Sequence, residues 1–456
     1  MTQPKTFEWL RHADADHFAA ERLASLVTAM PAVHALAADL LARTGNRLAD
    51  WLDHLILADG DRARRQLANL GFEREEVPAE PGDLVYHHPG AVLPRIVLRS
   101  GTSAAPGSTI AAAVQVEEIG SFLMAHGLSI SIEGTPLGPY CRARLWQESG
   151  CELLAVERRG HPGFVPTTMP PDYPGHYLRA FERWSTRPRL FADERAGIEQ
   201  TLDLARSLVT SMGTDTAAWI AFAAERAYWQ QRNRAGQVQK ARQDSLGLGW
   251  ANHDHHTFRS SRSAFPWLIQ ILETFGFHPR ERFYAGAEAG WGAQVLEQPV
   301  CRFAVFADVD LSPDEVEGDF AHRPLPPRRE LGTVGLWCAL HGESMLTAGL
   351  HHLAGRFDFE AVTTGLAEEG IKMMHPFSNF PYLRQAFTLG ERWPVAPDRL
   401  ERLATAGQVS DAQQAQFAEK GAIGSHLENI QRGEGFKGFN QQMVSDIIRR
   451  TDPRAQ

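Results

Sequence analysis

The feature that most restricts what this chain can fold into is an order of elements that occurs twice. The first half runs from helices into LDHLIL, a helix ending in LGF, several strands, VEEIGSFLMAHGLSI and finally ELLAVERRGHPGF. The second half runs from helices into HDHHTFR, a helix ending in FGF, further strands, FEAVTTGLAEEGIKM and finally SHLENIQRGEGF. Asp53-His54 thereby parallels Asp254-His255, and Glu157-Arg158 roughly parallels Glu428 with Arg432 nearby. A shared order with shared turn residues predicts two copies of one supersecondary design. An α+β chain of two mixed β-sheet modules with flanking helices is expected. Its 456 residues suit two or three domains. The expected divisions are N-terminal helices over 1–50, a first β-rich module over 51–190, a helical connector over 191–245 and a second module over 246–456.

Residues 14–45 have apolar positions at three- and four-residue intervals, divided by Pro31, and read as helices. Residues 192–243 read as helix with a break around 212–216. The segment 160–190 carries Pro162, Pro166, Pro170, Pro171, Pro174 and Pro188, which predicts a loop or linker. With 46 basic against 55 acidic residues and no Lys/Arg run, the chain lacks the basic patch of a nucleic-acid binder. No apolar stretch approaches the eighteen residues of a membrane span, and MTQPKTFEWLRHADADHF lacks the layout of a secretory signal. Cys141, Cys151, Cys301 and Cys338 form no CxxC pair. A cytoplasmic, reduced protein with neither nucleic-acid nor membrane partners is expected.

Candidate chemistry concentrates in the second half. In Asn252-His253-Asp254-His255-His256-Thr257-Phe258-Arg259, strand alternation puts His255, Thr257 and Arg259 on one face. An imidazole can hold a metal, and a guanidinium further along can hold a substrate carboxylate bidentately. The same stretch also reads as a His-rich loop before a strand, with Arg259 in an ion pair. His351-His352, in LTAGLHHLAGRFDFE, and Glu428, in GAIGSHLENIQRG, complete a set of two His and one carboxylate. Such a facial triad leaves positions open for substrate and oxygen. Gaps of 97 and 76 residues between His255, His352 and Glu428 exclude a compact zinc finger and suit ligands from separate strands.

The segment DHHTFRSSRSAFPWLIQILETFGFHPRERFYAGAEAGWGAQVLEQP, with Asp254, His255, Arg259, the FGF turn at 275–277 and Tyr284, resembles the signature of the 2-oxoadipate dioxygenase/decarboxylase family, which includes bacterial hydroxyglutarate synthase. The similarity covers about 250–452. The family's Asn-His-aromatic-Thr motif corresponds to His351-His352-Leu353-Ala354, which puts His352 on the ligand and His351 where the asparagine would be. SHLENIQR supplies Glu428 and Arg432. The resemblance implies a fold related to the vicinal oxygen chelate proteins, with a curved, partly closed sheet around the metal. It also implies an Fe(II) cofactor held by His255, His352 and Glu428, and reaction of O2 with a small carboxylic acid, a 2-oxo acid, with decarboxylation. Arg259 would then hold a substrate carboxylate. Gln385 and Thr388, in LRQAFTLG, would contact substrate or ligands, or else merely solvate a strand end.

In the first half, His54 and Glu157 fall at the expected first and third ligand positions, but the second falls near Ser108-Thr109. That predicts a degenerate copy without a metal. Two other functions stay open: a redox-silent lyase or isomerase using the same ligands to polarise a substrate, and a non-catalytic binder of small acids.

Overall fold

The computed structural model describes residues 9–440 and 451–454. Helices α1 (Ala13–Ala29) and α2 (Pro31–Asp39) come first. Pro31 opens α2, where its missing N–H would have had no intrahelical partner anyway. The first sheet follows as β1 (Leu52–Ala58), α3 (Asp61–Asn69), β2 (Glu73–Glu75), β3 (Leu84–His87), β4 (Arg95–Arg99), β5 (Thr109–Gln115), α4 (Ile119–Ala125), β6 (Tyr140–Glu148) and β7 (Cys151–Arg158). Its strand order is β2-β3-β4-β1-β5-β7-β6.

Four helices then lead onward: α5 (Tyr173–Ser185), α6 (Glu194–Met212), α7 (Thr214–Gln230) and α8 (Arg234–Asp244). The first corrects the expected loop over 160–190. Pro174 lies in the first turn of α5, where proline is tolerated, and Tyr177, Ala180 and Trp184 bury one face of the helix. The proline count thus marked a helix start as well as a loop.

The second sheet comprises β8 (His253–Arg259), α9 (Phe265–Thr274), β9 (His278–Tyr284), β10 (Trp291–Gln298), β11 (Phe303–Asp310), α10 (Thr333–His341), β12 (His352–Arg356), α11 (Phe359–Glu368), β13 (Ser378–Phe380), β14 (Leu383–Phe387), β15 (Glu391–Trp393), α12 (Pro397–Thr405), α13 (Asp411–Lys420) and β16 (Ala422–Arg432). The order β13-β14-β16-β12-β8-β11-β10-β9, with β15 also on β16, is an open path and not a closed barrel.

The two sheets share one plan, and the fold is α+β. In the first, β1 lies parallel to β4 and antiparallel to β5, which is parallel to β7. In the second, β8 lies parallel to β11 and antiparallel to β12, which is parallel to β16. Each parallel pair flanks a crossover containing a helix, as parallel pairing requires.

Strand β8 is buried along its whole length despite its polar sequence, because both faces are covered. His256 and Phe258 pack on Phe222 of α7. The opposite face, carrying His255, Thr257 and Arg259, is called the inner face below. Among the described residues no single helix is long and apolar enough to cross a membrane; only α1 with the chain from Pro31 to Thr44 passes on length and composition together, and that pair is bent by 114°.

Candidate metal centre

Pairing register alone brings the three expected ligands together. His255 and Glu428 both pair with Ala354, from the two sides of β12, so the three residues form one row across the sheet. His352 stands two residues back on β12 and therefore shares the face. Ala354, the middle of the row, contributes only a methyl group, and the imidazole and carboxylate converge above it. His255 Nε2 and His352 Nε2 lie 3.0 and 3.1 Å from Glu428 Oε2. One ligand atom from each residue falls within 4.8 Å of the others, and all three residues are buried.

Each of these side chains is held from behind, as metal ligands usually are. The Asp254 carboxylate accepts from His255 Nδ1 at 3.0 Å. Arg432 grips that carboxylate with two bonds of 2.8 and 2.9 Å, and Arg356 adds a third at 3.2 Å. His351 Nδ1 lies 3.0 Å from His352 Nδ1, so one imidazole donates to the other. Gln385 donates its amide to Glu428 Oε1 at 2.8 Å. On the other side of the ring, the Thr257 hydroxyl lies 2.8 Å from His352 Nε2, the nitrogen that an ion would take.

The charges suit a divalent ion. Burial opposes protonation of His255, yet Glu428 and Asp254 raise its pKa to about 9. Burial lowers His352 to about 4, with Glu428 offsetting only part of the loss. Burial would raise Glu428, but the two imidazoles hold it at about 2. The cluster therefore stores one proton on His255, ready to be displaced, beside an anionic carboxylate and a neutral imidazole. Two nitrogens and one oxygen make a donor set that fits Fe(II) or Zn(II) and leaves further positions open.

The other expected site residues separate. Arg259 stands on the inner face, 2 % exposed, with its Nε 3.7 Å from Asp308 Oδ2 and its guanidinium 5.6 Å from the Trp337 ring centroid. Thr388 does not face the cluster: its hydroxyl accepts from the Leu427 N–H, and its carbonyl accepts from His426 Nδ1. Its place ties the end of β14 to β16. Sequence reasoning missed His426 and Asp308, both on the inner face. Period-two spacing before Glu428 would have pointed to His426, and the two alternate acids in FAVFADVD to Asp308 and Asp310.

The first module carries the same frame with two of the three ligands replaced. Asp53 accepts from His54 Nδ1 at 2.7 Å, and Arg158 grips Asp53 with bonds of 2.7 and 2.9 Å. His54 pairs with Ala113, and Ala113 with Leu154. Leu154 thus occupies the place of Glu428, and Ala111 that of His352. This corrects the expected correspondences of Glu157 and Ser108-Thr109. Glu157 instead accepts from the Ile119 N–H and the Arg159 guanidinium. The cavity at His54, also lined by Tyr140, Arg142 and Leu154, measures about 20 Å³, room for a single water.

The chain matches no protein-family model. It also matches no curated protein. Solved structures similar to it share little sequence. A variant of 4-hydroxymandelate synthase from Streptomyces coelicolor is 12% identical over 89% of this chain and 98% of its own, with a TM-score of 0.26. A putative hydrolase from Shewanella frigidimarina is 15% identical over 46% of this chain and 91% of its own, with a TM-score of 0.32. Methylmalonyl-CoA epimerase from Mycobacterium tuberculosis is 14% identical over 40% and 87%, with a TM-score of 0.22.

Proposed function

We propose that this protein is an Fe(II)- and O2-dependent oxygenase/decarboxylase of a small carboxylic acid, a 2-oxo acid, with the ion held by His255, His352 and Glu428. The observation that carries the reading is a set of buried polar atoms without hydrogen-bond partners beside the triad. Arg259 Nε and Nη1, Asp308 Oδ1, His426 Nε2, His351 Nε2 and Gln385 Oε1 are all orphaned. Buried polar groups are rarely left so, and a concentration of them beside an open metal site is the expected mark of a polar ligand's place. A structural metal site would instead be closed by a fourth protein ligand.

A ferrous ion held there by His255, His352 and Glu428 would supply electrons to O2 and offer open positions to the carboxylate and keto oxygens of the acid. The protein's own part is positioning and exclusion of water. Asp254, locked by Arg432, fixes His255 as the tautomer with Nε2 toward the ion. His351 does the same for His352 by accepting its Nδ1 proton. Phe306 and Phe439 lie 5.0 and 5.1 Å from the His255 ring and Phe387 lies 4.9 Å from that of His352, walling the cluster with apolar surface. Arg259 stands four residues along β8, about 13 Å away at ~3.3 Å per residue, where it would meet the far end of a chelated acid.

The test is anaerobic loading with Fe(II), followed by oxygen uptake and CO2 release against a panel of 2-oxo acids. Substrate-dependent uptake with matching CO2 is the expected result. Stoichiometric metal without uptake on any acid would replace this reading with that of a redox-silent lyase or isomerase.

A further inference from the structure

The far pole of the inner face is not a bare cation. Arg259 and Asp308 pair across β8 and β11, so both side chains rise from the same face. The face is the one that bears the ligands, since Phe306, two residues before Asp308, packs on His255. Their charges sit 3.7 Å apart, both buried, and they compensate one another. Asp310, two residues further, adds negative charge that Arg259 also feels, while its carboxylate accepts from the N–H groups of Gly332, Val334 and Gly335 at the start of α10.

Hydrogen bonding is nevertheless incomplete at this pole. Arg259 has donors to spare at Nε and Nη1, and Asp308 has a spare acceptor at Oδ1. A second substrate carboxylate would place two anions on one guanidinium in a buried site, an arrangement that leaves one charge uncompensated. A neutral group offering both an acceptor and a donor would satisfy the orphans without adding charge.

Resting on the 2-oxo acid reading above, we propose that the substrate is a monoanionic 2-oxo acid whose distal end is an uncharged polar group of the primary amide, urea or alcohol class, received by Arg259 and Asp308 together. A second carboxylate is selected against at that end. Its far group lies beyond reach of the ion, so the preference acts on binding and is read without turnover.

The experiment measures dissociation constants by calorimetry on Fe(II)-loaded protein under argon at pH 8.5, above the value of about 7 to which burial raises Asp308. The probes are 2-oxoadipate, its 6-carboxamide and 2-oxohexanoate. The amide is expected to bind at least tenfold more tightly than both others. In Asp308→Asn, which keeps the shape and removes the counter-charge, 2-oxoadipate is expected to gain at least tenfold relative to the amide. Equal or tighter binding of 2-oxoadipate by the wild type overturns the proposal, as does an unchanged ratio in Asp308→Asn. An amide no better than 2-oxohexanoate overturns it too, leaving water as the partner of the orphans. Failure of all three probes to bind the loaded protein removes the 2-oxo acid reading itself, and the distal preference with it.

Discussion

At the residue scale, the cluster depends as much on a missing side chain as on the three present ones. Ala354 lies between His255 and Glu428 and is fully buried. Ala354→Leu is expected to fill the space above the row and reduce bound metal to below a tenth of an equivalent, as measured by elemental analysis after gel filtration. His255→Ala and Glu428→Ala are expected to lose the metal as well, with the folded far-ultraviolet spectrum retained. Asp254→Asn removes the charge and one of the two oxygens shared by His255 and Arg432, and should weaken metal affinity by about 10- to 100-fold. In the sequence, His255, His352 and Glu428 were singled out by the resemblance of their flanking motifs, because 19 histidines and 55 acidic residues supply many such trios by spacing alone. Ala354 was not, since an alanine in a strand looks like any other. Arg259 was legible both as a carboxylate anchor and as an ion-pair member, and the structure shows it beside Asp308 with donors unused.

At the scale of elements, the sequence showed order and not register. The repeat was readable from Asp53-His54 and Asp254-His255 because both begin a buried strand after helices. The third position was misjudged, because the pairing of β5 with β7 decides whether Glu157 or Leu154 stands opposite Ala113, and a slip in a strand changes the face as well as the place. Leu154 points to the cavity and Glu157 to Arg159. With Ala111 and Leu154 at the other ligand positions, His54 has no companions for an ion. His54→Ala is therefore expected to leave the stoichiometry at about one metal per chain, and a fall to half of the wild-type content would reveal a second site. Pro174 gave the other misreading: proline ends a helix when internal but begins one in its first turn, and its neighbours alone do not say which.

At the scale of the whole molecule, the second module is unusually rich in buried neutral imidazoles. Burial lowers His253, His341 and His426 to about 3, and holds His256 and His351 well below their ordinary value. Unfolding releases these groups to protonate near the ordinary histidine pKa, about 6.5. The unfolded chain then binds more protons, so stability falls as pH drops below that value. Asp308 and Glu343, both raised to about 7 by burial, act in the opposite sense by carrying protons in the folded state. The lowered imidazoles outnumber the two raised acids, so unfolding takes up protons on balance and stability falls as the pH drops. Urea titrations of metal-free protein from pH 7.5 to 4.5 are expected to show the midpoint dropping steeply below pH 6.5. A midpoint independent of pH over that range would mean the imidazoles are already charged in the folded chain.

The Asp–Arg clamp has a consequence of its own for the life of the protein. It closes the same strands in both halves, in one behind three ligands and in the other behind a single histidine beside alanine and leucine. The architecture around the triad is thus assembled from protein bonds, and the half without the other two ligands keeps it. Folding and metal loading become separate events. A chain synthesised during metal scarcity would stand finished and empty, fill when metal returns, and surrender a wrong ion without unravelling. Which metal it carries would then be decided by cellular supply as much as by the site.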